Sequence, residues 1–254
     1  MRLLLPLIAA IPVFLAACGG GDETEPSPTK VPASPTAVAS MTADERAATE
    51  ALLKAAALRL EDLPSGFTLD EEKFSTNEET AEEQKDNPYA PTLEDLNRFG
   101  RILAYEANYS QEVSAGALAA GGTLFLQVTA AVYRDSKGAS EALEFVRQQA
   151  SDPGFAEEFQ QNFASSSGVQ VRSATISPMS FAKVGDDRIA FEIKIAAHSP
   201  DLDTDLDFVG RIVGVRRDRG IDSITVLALG TPSPVQELED LARTLDQRMK
   251  DALE

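Results

Sequence analysis

Phe208–Leu229, FVGRIVGVRRDRGIDSITVLAL, reads as two strands joined by a tight turn. Apolar side chains crowd Phe208 to Val215 and Ile221 to Leu229, and the Arg217-Asp218-Arg219-Gly220 link is good hairpin chemistry, with Gly220 available for positive φ. Strands this close in sequence pair antiparallel. The basic tip of Arg216, Arg217 and Arg219 reads as a solvated turn, with contact to an anionic group as the alternative.

Strand periodicity extends upstream. In Arg188 to Ala196, the residues Ile189, Phe191, Ile193 and Ile195 share one face, and Val169 to Ile176 gives another strand. Leu103, Tyr105, Ala107 and Tyr109 alternate within Arg101 to Ser110, as do Leu124, Leu126, Val128, Ala130 and Val132. Helical spacing appears in Ala47, Ala48, Ala51, Leu52, Ala55 and Ala56 after a Thr42–Glu45 capping box, and in Ala139, Ala142, Leu143, Val146 and Ala150. Asp152-Pro153 opens a further helix as cap and first helical residue, and Val235, Leu238, Leu241, Ala242, Leu245 and Met249 mark the last one. The order is helix, two strands, two helices, four strands, helix. Most neighbouring strands lack a long helix between them, so the expected fold is α+β, an antiparallel β-sheet covered by helices.

Phe155, Phe159 and Phe163 recur at i, i+4 and i+8 on the helix that opens at Pro153. Such a stripe is most simply core, and the alternative is the wall of an apolar ligand pocket. Asp201, Asp203, Asp205 and Asp207 alternate in the loop before the hairpin. Calcium takes roughly six to eight oxygens, and an EF-hand loop also begins D-x-D-x-D. Here the sixth position, Leu206, replaces the required glycine, and the twelfth, Ile212, replaces the bidentate glutamate. A polar inter-strand loop is the first reading and an irregular calcium site the second. Between Glu61 and Asp95 stand twelve acidic residues against Lys73 and Lys85, read as a solvated acidic loop because like charges repel.

The N-terminus carries Arg2, then an apolar run from Leu3 to Leu15 interrupted by Pro6 and Pro12. A spanning helix needs about 20 apolar residues, so the run reads as an export signal. Leu15-Ala16-Ala17-Cys18 resembles the lipobox of bacterial lipoproteins, and Gly19-Gly20-Gly21 follows it. The resemblance implies cleavage before Cys18, the chain's single cysteine, and acylation of its thiol. A lone thiol makes no internal disulfide. The expected organisation is a signal peptide over 1–17, an acylated Cys18 with a Pro/Ser/Thr-rich tether over 18–41, and one α+β globular domain over 42–254. Prolines at 26, 28, 32 and 35 make the tether an extended chain unable to bury a core. The implied location is the outer face of the cell membrane, or of an outer membrane where there is one.

In the globular part, Asp62-Leu63-Pro64-x-Gly66-Phe67, Val184-Gly185-Asp186, Val215-Arg216-Arg217 and Leu241-Ala242-Arg243-x-Leu245-x-x-Arg248 carry a second resemblance. The chain resembles uncharacterised bacterial surface lipoproteins and, more distantly, PsbP-like sandwiches, in which helices cover an antiparallel sheet. That implies a fold and a surface location and carries over no catalytic residue.

The formal charge of −18 argues against nucleic-acid binding, which draws affinity from neutralised phosphates. His198 is the only histidine, no G-x-S-x-G or Walker loop is present, and zinc ligation would fall to carboxylates alone. Ser27-Pro28-Thr29-Lys30 matches S-x-x-K but lies in the tether. The residues favour a non-enzymatic, membrane-tethered module that binds a small apolar ligand or an envelope partner, with no cofactor. A calcium-dependent structural or adhesion module is the second reading. A carboxylate-dependent hydrolase is the third, and it predicts a deep cleft with two carboxylates roughly 5 to 9.5 Å apart.

Overall fold

The computed structural model describes residues 41–111, 122–201 and 203–254. Cys18 and all of the tether except Met41 lie outside the described residues. The elements are α1 (Ala43–Ala56), a 3-10 turn (Leu60–Asp62), β1 (Phe67–Ser75), α2 (Asn77–Glu83), α3 (Leu93–Phe99), β2 (Arg101–Gln111), β3 (Gly122–Tyr133), α4 (Ser136–Gln149) and α5 (Pro153–Ser167). Then come β4 (Gln170–Pro178), β5 (Asp187–Ser199), β6 (Thr204–Arg217), β7 (Gly220–Leu229) and α6 (Val235–Leu253).

All seven strands form one antiparallel sheet in the order β1-β2-β3-β7-β6-β5-β4. Two meanders meet where β3 pairs with β7, and α4 and α5 carry the chain from β3 at the centre to β4 at the far edge. The expected α+β class, an antiparallel sheet covered by helices, is what the structure has.

Side chains alternate across each strand, so the sheet divides its apolar residues between two faces. On one face Leu126, Val128 and Ala130 of β3 join Val213 and Val215 of β6 and Ile224 of β7 under Leu53 and Ala56 of α1 and Leu238, Ala242, Leu245 and Met249 of α6. On the other face α4 seats Ala139, Ala142, Leu143 and Val146 on Ala131, Tyr133, Phe191 and Ile221. Beside it Phe163 of α5 packs on Phe125, Ile193, Ile195, Phe208 and Leu227.

The hairpin expected at Arg217–Gly220 is present, with Arg217 opposite Gly220. Its positive φ falls on Asp218, at 49°, and not on Gly220. Asp218 tolerates it because its N–H donates to Asp186 Oδ2 at 2.7 Å and its carbonyl accepts from Arg216 Nη1 at 3.0 Å. Gly220 is needed for a different reason: a Cβ there would lie 2.8 Å from the sulfur of Met249, so its absence lets α6 approach the sheet.

The acidic stretch is not the loop its charge suggested. It holds edge strand β1 and the short helices α2 and α3. Both helices open with capping boxes, Thr76 with Glu79 and Thr92 with Asp95, in which side chain and backbone satisfy each other's donors. Buried Arg101 ties them down: its Nε donates to Asn77 Oδ1 at 2.8 Å and its Nη2 to Thr80 Oγ1 at 2.6 Å. Asn77 in turn donates to the Arg101 carbonyl and to Asn97 on α3. The pairs Lys54–Glu72 and Lys73–Glu83, at 2.5 and 2.9 Å, offset part of the like-charge repulsion.

Candidate ligand cleft

A cleft of about 230 Å3 opens where the start of α6 crosses the end of the sheet. Its walls are largely apolar: Pro64 and Phe67 at the entry to β1, Leu126 and Val226 from the sheet floor, and Pro232, Pro234, Leu238 and Leu241 from α6 and its approach. Gln111, Thr123, Arg211, Ser233 and Glu237 supply the polar groups. Thr123 and Ser233 hydroxyls bond each other at 3.3 Å, fastening β3 to the segment that leads into α6.

Arg211 is the chemical centre of this cleft. It occupies an inward position of β6, in the same alternate set as Val213 and Val215, and its side chain is 11% exposed. Nε donates to Glu192 Oε2 at 3.1 Å, and Nη1 donates to the Ser233 carbonyl at 2.5 Å. Nη2 has no hydrogen-bond partner among the described residues and keeps some exposed surface. It is therefore the nitrogen left for the cleft that Arg211 lines. Partial burial raises the Glu192 carboxyl, but its bonds to Lys194 and Arg211 outweigh that and hold its pKa below the usual carboxylate range. With Lys194 3.2 Å from Glu192, the trio Arg211, Glu192 and Lys194 carries one net positive charge.

Such walls, with a few polar groups converging, are what small-molecule sites are made of. The volume matches about eight waters at roughly 30 Å3 each, which suits a short apolar body. Glu237 is the single carboxylate in its lining, and it stands exposed at the rim.

Other residues singled out from the sequence lie elsewhere. Phe163 is 1% exposed and meets Phe208 edge-on at 5.5 Å, with Phe159 stacked beside it at 6.1 Å. Phe155 faces a different neighbour, Tyr89, at 5.2 Å. None of the three lines the cleft. Asp205 bonds Arg172 at 2.7 Å and His198 Nδ1 at 2.9 Å, and these two bonds, His198 first, lower its pKa. Asp203 extends into solvent with φ at 46°, and Asp201 and Asp207 are exposed. Among the described residues no group of three or more His, Cys, Asp or Glu side chains is placed to hold a metal. His198 sits on β5 directly opposite Asp205, a pairing the loop reading had not anticipated. At the hairpin, Arg217 chelates Asp246 through Nε at 2.8 Å and Nη2 at 2.5 Å, and Arg216 Nη1 donates to the Asp218 carbonyl at 3.0 Å, so these two arginines of the basic tip are engaged within the chain.

Sequence reasoning missed Arg211 and Asp222. The signal was available: each is a charged residue in the core-facing register of a strand, beside Val213 and beside Ile224. Asp222 is 1% exposed, and its Oδ2 has no hydrogen-bond partner. Burial, and secondarily the charge of Asp246, push its pKa well above the usual aspartate range.

No helix of the described residues is long and apolar enough to cross a membrane. No protein-family model matches this chain, and no curated protein matches it. Among solved structures, the extracellular domain of PknH from Mycobacterium tuberculosis is similar at a TM-score of 0.42 and 9% identity, over 79% of this chain and 96% of that one.

Proposed function

We propose that this protein is an exported, lipid-tethered binding module whose α+β domain holds a small apolar ligand in the cleft under the start of α6. The observation that carries the reading is the cleft itself: apolar walls from three parts of the chain, open to solvent, with a few polar groups at its floor and rim. Non-enzymatic binding fits this lining better than carboxylate-dependent hydrolysis, which calls for a carboxyl pair where the lining offers Glu237. The tether and Leu15-Ala16-Ala17-Cys18 support attachment through an acylated Cys18, with the domain held off the bilayer by the proline-rich segment.

Octanol is a suitable neutral probe of the cleft. Titrated into the full chain, it should bind saturably and raise the unfolding temperature, and Leu241→Trp, which fills the cleft from α6, should abolish both effects. Equal binding to wild type and the tryptophan variant would remove the cleft from the account. Attachment is tested separately by fractionation: Cys18→Ser should leave the chain without label after growth on radioactive palmitate and shift it out of the acylated membrane pool.

A further inference from the structure

We infer that the cleft selects a ligand bearing a carboxylate on a short apolar body, with Arg211 as its anchor. The inference rests on the cleft being the binding site, and it deepens that reading by naming the chemistry of the ligand's head.

Three observations carry it. Arg211 is a charged group deep in an apolar cleft, held in one orientation by Glu192 on one side and the Ser233 carbonyl on the other. A guanidinium fixed in this way has little freedom left to lose on binding, and its unpartnered Nη2 offers a charge-assisted bond, roughly twice as strong as a neutral one. Secondly, α6 starts at Val235 after Pro234, which supplies no side-chain cap, so its first N–H groups fall at the cleft wall, where Glu237 of the same turn offsets part of the helix dipole. Thirdly, Lys194 beside Glu192 and Glu237 at the rim are both exposed and opposite in sign, which leaves Arg211 as the cationic group that meets a ligand's head inside the cleft.

The same balance favours a monoanion over a dianion. A phosphate monoester would bring nearly two negative charges into a cleft that already has Glu192 beneath it and Glu237 at its rim. A carboxylate brings one, and one of its oxygens can accept from Nη2. The apolar tail would lie between Phe67, Leu126, Leu238 and Leu241.

Calorimetry on the full chain with octanoate, octanol and octyl phosphate tests this, with Leu241→Trp as the reference for uptake outside the cleft. Octanoate is expected to bind about tenfold or more tighter than octanol at low salt, to lose that advantage as salt rises, and to outbind octyl phosphate. Arg211→Gln is expected to erase the preference for octanoate while octanol binding persists. Because Arg211→Gln strands Glu192, Arg211→Lys provides a second variant: it keeps the charge and should retain part of the preference. Equal affinity for octanoate and octanol overturns the proposal while the cleft stands as a binding site. Failure of both to bind overturns the proposal together with the reading beneath it. Tighter binding of octyl phosphate overturns the assignment of a carboxylate head.

Discussion

The two faces of the sheet are buried by different means. Under α1 and α6 the core is continuous and apolar, from Leu53 through Val128 and Ile224 to Met249, and it encloses Asp222. Under α4 and α5 the apolar residues fall into two clusters. Between them β3 and β7 present Gln127, Thr129, Ser223 and Thr225, each no more than 7% exposed. Thr129 and Ser223 bond at 2.6 Å, and Gln127 donates to Asn108 at 3.0 Å while its own Oε1 has no partner. One face is therefore held by packing with an unsatisfied ionisable flaw at Asp222, and the other by packing interrupted by a seam of hydroxyls and amides. Hydrogen bonds in such a seam contribute little net stability when made and cost more when half-broken.

The largest expected effect is on the continuous face. Leu245 is fully buried at the contact of α6 with the sheet, and Leu245→Ala should cost about 3 kcal/mol in denaturant unfolding, by lost transfer energy plus a residual cavity. A cost below about 1 kcal/mol would mean that this face relaxes readily and is not the tighter of the two.

The ionisable flaw comes next, and its sign can be worked out. Asp222 has a folded pKa raised above its unfolded value, so the folded state binds the extra proton. Its contribution to stability is intact below the unfolded pKa and declines as pH rises towards the folded one, at up to about 1.4 kcal/mol per pH unit. Glu192 and Asp95, whose folded pKa values are lowered, act the other way and only in the acid range. From about pH 5 to 8 the wild type should thus lose stability with rising pH, whereas Asp222→Asn should be nearly flat. Parallel curves for the two proteins would sink the idea that Asp222 is the source.

The smallest effect belongs to the seam. Thr129→Val should destabilise by about 1–2 kcal/mol because it leaves the Ser223 hydroxyl buried alone, and adding Ser223→Ala should restore most of the loss. If the two costs simply added, the hydroxyls would be acting independently and the seam would not be a bonded unit.

The contrast between faces explains what was legible in the sequence. Alternation identified β2, β3 and β5 because one face of each is apolar, strand-rich apolar runs identified β4, β6 and β7, and the long helices followed from their stripes and caps. Alternation does not say whether the polar face meets water. In β3 it does not, since Gln127 and Thr129 lie on the face that α4 and α5, the next two helices in the chain, fold back to cover. β1 escaped notice because only Phe67 is buried along its length, so it has no apolar period to detect. The short helices α2 and α3 were marked by Thr76–Glu79 and Thr92–Asp95, the same spacing that revealed α1 at Thr42–Glu45, but the dense charge around them masked it. The cleft could not be foreseen at all: Phe67, Arg211 and Leu241 come together only once the two meanders have paired.

The sheet ends in two unlike borders. β1 is charged and mostly exposed, with a bulge between Leu69 and Glu71, and β4 has a bulge between Val171 and Ser173 and finishes on Pro178. Bulges bend a border out of the plane that a second strand would have to match, and charges and proline leave it poorly matched in side chains and donors. Under the tethered arrangement proposed above, this would matter more than it would in dilute solution. Neighbours crowded along a surface meet border to border many times over, and these borders give each such meeting no way to lengthen into a shared sheet.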